Sequence, residues 1–317
     1  VISILVSILP TFVSATDGRW HQPKVSLAQL LVQLPTDPPE GDYNNLYIGD
    51  ARVLQLPSQS IAGSNANISY AVASDGELTL TSRWRGPRTQ MDSSLDRAIA
   101  AIVSKSTARG GKLLAPLAVR YIVVPLIDGG VSSVDNPLPV PTHLLDSLSA
   151  QLDFRQVYSA SDLVIYENVA WLPTLAVLDE ATALISSQGG EDALLSSSLG
   201  AVKALPYATE INEEPLGELS VGTVHLAAPF TNNMRLVIGN AEVAPRVAFG
   251  GSTAFDLPVG GPAKLAYSTP GLHLLFVFLQ LAMWLGLVAI SIDARRLRRR
   301  WRGSTQRVDV SITEVGA

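Results

Sequence analysis

The pattern of apolar and polar positions divides the chain into three kinds of segment. The longest apolar run is Gly271 to Ile292, GLHLLFVFLQLAMWLGLVAISI, 22 residues without one Asp, Glu, Lys or Arg. At ~1.5 Å of rise per residue such a helix is roughly 33 Å long, enough to cross a hydrocarbon core of ~30 Å. Upstream, residues 16–185 mix two periods. Val25 to Leu34 has an apolar helical face, and the Pro-rich PTDPPEGD breaks it before the strand-like NNLYIGDARVLQLP. ISYAVAS and ELTLTSRW alternate as strands around Asp75-Gly76, a hairpin signal. Met91 to Ala108 places Leu95, Ile99, Ile102 and Val103 at helical spacing, and Arg109-Gly110-Gly111 is expected to end that helix. RYIVVP predicts a buried strand, Leu144 to Leu152 a helix, FRQVYSASDLVIYEN a hairpin turning at Ala160-Ser161-Asp162, and WLPTLAVLD a closing strand.

Beyond residue 185 the helical period fades. SSQGGEDALLSSSLGA reads as a linker over 186–200, and residues 201–269 carry short alternating runs divided by Gly, Asn and Pro, the pattern of a small antiparallel sandwich with a tight turn at Asn240. The expected fold is therefore α/β, a mixed sheet with flanking helices over 16–185, followed by a small all-β sandwich and one C-terminal transmembrane helix, 270–292.

Charge assigns a direction to that helix. Residues 293–317 form a basic tail in which Arg295, Arg296, Arg298, Arg299, Arg300 and Arg302 occupy six of eight consecutive positions. Residues 1–270 hold 16 Lys+Arg and 25 Asp+Glu, a net of -9, and residues 271–317 hold 7 and 3, a net of +4. A positive flank stays on the cytoplasmic side of a span, so the arginines read as topology determinants and residues 16–269 as extracytoplasmic, the whole at the cell membrane. Next to a span this is a better account of a basic run than a nucleic-acid patch, and attraction to anionic membrane lipid accompanies it. Residues 1–15 are uncharged as well. They read either as the outer end of another transmembrane helix or as the core of a signal peptide with Val13-Ser14-Ala15 at its cleavage site, and the missing basic region favours the former. The chain has no cysteine, so disulfides and thiolate sites are excluded.

Candidate chemistry is sparse. Asp50 closes the strand-to-turn stretch YIGDA, where a carboxylate at a strand end faces a ligand crevice or caps a turn. Ala51 stands where an esterase block would need a hydroxyl. His21, His143, His225 and His273 are scattered singly, without metal-ligand spacing, and the acid pairs Asp179-Glu180, Glu191-Asp192 and Glu213-Glu214 point their members apart. No Walker loop, Gly-x-Gly-x-x-Gly or Asp-x-Asp occurs, and no metal or cofactor is expected. The sequence excludes sugar binding less readily. Trp20, Trp84, Trp171, Tyr43, Tyr47, Tyr70 and Tyr166 offer aromatic faces unless they fill the core. Asp17, Arg19 and Trp20 form one polar-aromatic cluster and Tyr166, Glu167 and Asn168 another. With Asp50 they are the candidate ligand-binding residues, and Asp17 to Trp20 would lie nearest the bilayer.

YNNLYIGDARVLQLP, LLAPLAVRYIVVP, LVIYENVAWLP, GTVHLAAPFTNNMRLVIGNAEV, AFGGSTAFDLP and AKLAYSTPGLHLLFVFLQLAMWL, in that order, resemble the C-terminal extracytoplasmic region of large actinobacterial multi-spanning glycosyltransferase-type membrane proteins. Several of these carry a cytoplasmic family-two glycosyltransferase domain, and a looser likeness runs to YfhO-like membrane proteins. The resemblance covers nearly all of residues 17–292. It implies a role in cell-envelope polysaccharide or glycolipid assembly, with a polyprenyl-phosphate-linked donor or a lipid-linked sugar or glycan acceptor as partner. The catalytic residues would then lie outside this stretch, in the upstream transmembrane region of the same protein, and this module would position acceptor or brace the bundle. A transport accessory domain and a ligand-sensing ectodomain are the alternatives. Nucleic acid is not an expected partner.

Overall fold

The computed structural model describes residues 31, 34, 40–50, 68–74, 87–127, 137, 140, 141, 143–199, 202–206, 215–268 and 271–304, with the backbone alone over 292–304. The expected helix 25–34, the hairpin around Asp75-Gly76 and the segment 1–15 lie outside these residues or almost wholly so. The body ends near Ala266, and the C-terminal helix is a separate unit.

The first sheet is mixed. It is built from β1 (Asn44–Asp50), β2 (Ile68–Ala73), β3 (Val119–Pro125), β4 (Phe154–Ser159) and β5 (Leu163–Asn168), in the order β2-β1-β3-β5-β4. β1 and β3 run parallel, and every other pair is antiparallel. The crossover that a parallel pair requires contains α1 (Gln90–Val103) and α2 (Gly110–Leu114), the latter continued by a 3-10 turn at Ala115–Leu117. Alternation along the central strands explains why they read as continuous apolar runs. Leu46, Ile48, Ile122, Val124, Val164 and Tyr166 face the helices, whereas Tyr47, Tyr121, Val123, Leu163 and Ile165 form a second cluster with Leu31. α3 (Leu144–Ser149), within the expected helix 144–152, leads into the edge strand β4, which is largely exposed and bulged between Gln156 and Tyr158, with Val157 as the extra residue.

The second half is a sandwich. One sheet is β12-β13-β9-β6-β7, from β6 (Leu175–Leu178), β7 (Lys203–Ala204), β9 (Gly222–Pro229), β12 (Arg246–Ala248) and β13 (Ser252–Leu257). The other is β11-β10-β14-β8, from β8 (Pro215–Leu219), β10 (Met234–Ile238), β11 (Ala241–Val243) and β14 (Gly261–Tyr267). Val224, Leu226, Phe255 and Leu257 meet Leu236, Ile238, Ala263 and Leu265 in its interior. The turn from β10 to β11 falls at Gly239-Asn240, as expected, with Gly239 at φ 55° supplying the left-handed geometry.

Three expectations need correction. WLPTLAVLD does supply β6, but this strand pairs with β9 and β7 in the sandwich and not with the first sheet. The presumed linker 186–200 is largely helical, with α4 (Glu180–Gln188) capped by the Asp179 carboxylate and α5 (Glu191–Ser196) following. Low hydrophobicity concealed these helices, since α4 buries little beyond Thr182 and Ser186. Gly110-Gly111 open α2 instead of closing α1, which stops at Val103 before Lys105 turns left-handed at φ 58°. At the other end, Thr89 and Asp92 form the capping box that starts α1.

The two halves share one core. Leu95, Ile99, Leu113, Leu114 and Leu194 from the helices pack with residues of the first sheet on one side and with Leu178, Ala248, Phe249 and Ala254 of the sandwich on the other. The order of layers is sheet, helices, sheet, sheet. Two polar anchors fix the helical layer. Lys112 donates from Nζ to the carbonyls of Leu195 and Ser197 at the C-terminal end of α5, where a cation is favoured. The buried Asn168 amide donates to Gly111 O at 3.0 Å and Val119 O at 2.9 Å and accepts from Ala170 N at 3.0 Å.

The final element, α6 (Gly271–Ser304), contains the apolar stretch 271–291, exposed along its whole length and long and apolar enough to cross a membrane.

Two variants test the Asn168 anchor. Asn168→Ala strands two carbonyls and an N–H, and is expected to cost about 1–3 kcal/mol. A Cβ on Gly111 would sit 2.2 Å from Asn168 Oδ1, so Gly111→Ala is expected to cost a similar amount by overpacking, about 1–3 kcal/mol. Because the two share one contact, the double variant should lose less than the sum. Urea denaturation of the three proteins measures all three terms.

Candidate functional site

The described candidate residues do not converge. Asp50 is the last residue of β1, paired with Ile68 of β2, whereas Glu167 lies opposite Tyr121 near the start of β3. Asn45, not Asp50, is the β1 neighbour of Tyr121. At ~3.3 Å per residue, the five residues from Asn45 to Asp50 separate the two sites by roughly 16 Å along the sheet. Tyr166 is buried, its hydroxyl 3.0 Å from Ser149 Oγ, and Asn168 is the packing anchor described above. Neither side chain is open to a ligand. Asp17, Arg19 and Trp20 lie outside the described residues. The arginines from 295 to 302 fall within α6, whose backbone alone is described there.

Glu167 belongs to a different cluster, organised by an arginine that the sequence did not single out. Arg120 stands second in β3, its guanidinium carbon 4.9 Å from the Trp171 ring centre, 5.5 Å from Tyr43 and 5.4 Å from Tyr121. Tyr43 meets Tyr121 and Trp171 edge-on at 5.1 and 6.2 Å. Arg120 Nη1 lies 3.5 Å from Glu40, its Nη2 3.5 Å from Glu167, and Glu167 also pairs with Arg155. Two positive and two negative side chains therefore balance around three rings. Asn45, with its amide oxygen buried and lacking a hydrogen-bond partner among the described residues, neighbours Tyr121.

Local structure explains how the rings meet. Gly41, at φ 104°, lets the chain run against Pro173 and Ala204, and a Cβ there would approach Ala204 Cβ to 2.6 Å. Thr174 then donates from both its N–H and its hydroxyl to Asp42 O, at 2.8 and 3.1 Å. This clamp holds Tyr43 beside Trp171 on the loop after β5. Asn44 Nδ2 donates to Leu117 O at 2.8 Å and sets the start of β1 against the start of β3. Burial, with Tyr121 beside it and Arg120 opposing, pushes the Tyr43 phenol up to about 12. Tyr121 is raised as well, mainly by burial. Both phenols stay protonated, able to donate and accept. Of the aromatics weighed as sugar faces, Tyr47, Tyr70 and Tyr166 are core residues, whereas Tyr43 and Trp171 are partly exposed. A half-open indole and phenol beside a guanidinium and two carboxylates can hold a polyhydroxylated ring, with C–H faces on the aromatics and hydroxyls on the charges.

A cavity opens elsewhere, between α1, α2, α5 and the β12–β13 turn, lined by Met91, Leu113, Leu194, Phe249 and Ser252 with the Arg97–Glu191 ion pair (2.6 Å) among its walls. Behind it lies the fully buried His225, with Nε2 2.9 Å from Ser252 Oγ. Ser252 Oγ donates to Ala248 O at 3.0 Å, so His225 supplies the proton between the two. Its free lone pair is on Nδ1, which is buried without a hydrogen-bond partner among the described residues. An imidazole that donates to the serine cannot remove its proton, and this pair is not an activated nucleophile. His225 is thus a packed histidine, edge-on to Phe249 at 5.3 Å. His143 is largely exposed and lies 3.6 Å from Asp146. Among the described residues no three His, Cys, Asp or Glu side chains group as a metal site.

Compared with protein-family models, curated proteins and solved structures, the chain matches none.

Burial, reinforced by the positive Arg246, lowers His225 from its ordinary 6.5 to about 3. Above pH 6.5 the imidazole is neutral in both folded and unfolded chains. As pH falls further, only the unfolded chain takes up the proton, and stability is expected to drop by roughly 1.4 kcal/mol per pH unit until the folded value is reached. Unfolding free energies measured by urea titration from pH 7 to pH 4 should show this slope, and His225→Gln should remove that share of it. An unchanged slope in the variant would assign the acid sensitivity to other groups.

Proposed function

We propose that this chain is the extracytoplasmic, membrane-anchored positioning module of a glycosyltransferase-type protein of cell-envelope polysaccharide or glycolipid assembly. On this reading it holds an acceptor glycan at the Tyr43–Arg120–Glu167–Trp171 cluster while chemistry occurs elsewhere in the parent protein. The observation that carries the reading is that cluster, where partly exposed rings and balanced charges meet at one end of the central strands of a well-packed sheet. The resemblance in sequence order supports the cell-envelope context, and the apolar helix 271–291 is compatible with membrane anchoring. The arginines at 295–302 would keep the C-terminal end inside.

Binding of the chain to an array of neutral and acidic oligosaccharides tests the site. Trp171→Ala is expected to weaken binding about fivefold to tenfold, with Trp171→Phe retaining most of it and the thermal midpoint of both variants nearly unchanged. If no saccharide binds, or if Trp171→Ala fails only by losing several degrees of stability, the cluster is packing and the module is a brace.

Sidedness is tested separately. A reporter active only in the cytoplasm should work when fused after Ala317 and be silent when inserted at Gly189-Gly190, which turn between α4 and α5 with open space around both residues. The opposite pattern would reverse the orientation.

A further inference from the structure

Residues 271–291 of α6 include four side chains with a hydrogen-bonding nitrogen or oxygen: His273, Gln280, Trp284 and Ser291. Wound at 3.6 residues per turn, all four fall within an arc of about 40°. The other directions carry Leu, Val, Ile, Phe and Met, with the small residues Gly271, Ala282, Gly286 and Ala289 gathered on the far side. The polar spacing is that of a heptad seam. His273, Gln280 and Leu287 recur every seven residues, and Val277, Trp284 and Ser291 each follow four later, the repeat of left-handed helix pairs.

Ser291 is satisfied by its own helix, donating from Oγ to Leu287 O at 2.8 Å. Gln280 is in a different position. It stands one residue from the middle of the 21-residue stretch and is exposed on the helix surface. Its amide offers two donors and one acceptor, and hydrocarbon tails can meet neither kind. A helix that packs on this face must therefore bring hydrogen-bonding groups to mid-membrane depth.

We infer that α6 pairs in parallel with α6 of a second copy of this chain, the two Gln280 amides exchanging hydrogen bonds across the seam. The inference rests on the membrane reading above. An amide is self-complementary, so a twofold axis between parallel copies sets Gln280 against its equal at the same depth and pairs one N–H and the carbonyl of each amide. The basic run orients every copy the same way, which makes the parallel arrangement the accessible one. A single polar residue in such a seam also fixes register and oligomeric state. The arginine runs of the two copies then lie side by side, where salt and anionic headgroups screen their repulsion.

The chain has no cysteine, so single-cysteine variants report one position each. The full chain, expressed in membranes and retained there after alkaline carbonate washing, is oxidised with copper phenanthroline. Val277→Cys, Trp284→Cys and Leu287→Cys should form disulfide-linked dimers, and Ala282→Cys and Ala289→Cys should not. Adding Gln280→Leu to Leu287→Cys should lower the dimer yield about fivefold, whereas Gln280→Asn should preserve much of it. Carbonate-resistant protein that forms no dimer, forms them equally at all positions, or forms them only on the Ala282 and Ala289 face overturns the pairing and leaves Gln280 to a different membrane helix. Release of the parent chain by carbonate would remove the membrane reading, and the pairing with it.

Discussion

A helical layer that must be apolar on both sides is the constraint from which the rest of the body follows. The segment from Gly110 through Ala118 is buried almost throughout, and its composition, two glycines, two alanines, three leucines and a proline around one lysine, is what two-sided burial requires. Small residues are needed where a neighbouring side chain lies against the backbone, as the Asn168 amide does at Gly111. The single long cation must find acceptors within the layer, which Lys112 does at the end of α5. Once this layer is set, the first sheet and the inner sheet of the sandwich have no other surfaces on which to bury Tyr166, Val124, Ala254 and Phe249.

The same constraint explains which parts were legible in the sequence. Elements with a one-sided environment, such as α1 with its capping box, the β4–β5 hairpin and the β10–β11 turn, announce themselves through period and turn chemistry. Elements defined by what lies across from them do not. WLPTLAVLD is a strand by pattern, but nothing in its residues says which sheet it joins, because Leu175 and Leu178 are equally apolar toward the sandwich interior and toward the helices. The helices at 180–196 are rich in Ser and Gly and were hidden by composition, although Asp179 before Glu180 was a readable cap.

For the candidate site, sequence separated poorly between a ring that packs and a ring that greets solvent. Tyr166 and Asn168 adjoin Glu167 in the chain, yet on a strand neighbours point to opposite faces, and only Glu167 reached the charged cluster. Arg120 carried a signal that went unused: a lone cation inside the apolar run VRYIVVP has to be compensated, here by Glu40, Glu167 and three rings. Because those charges cancel, the cluster suits a neutral polyol better than a strong anion. An added negative group would have to displace a glutamate that is already paired.

The bulge at Val157 bears on behaviour at high density. The outer edge of β4 is the kind of surface along which identical chains zip into ribbons. Doubling one residue there throws an incoming ladder out of step after a few bonds. Many copies crowded onto a small area would thus not polymerise along β4, where a flat edge of the same length would seed a fibre.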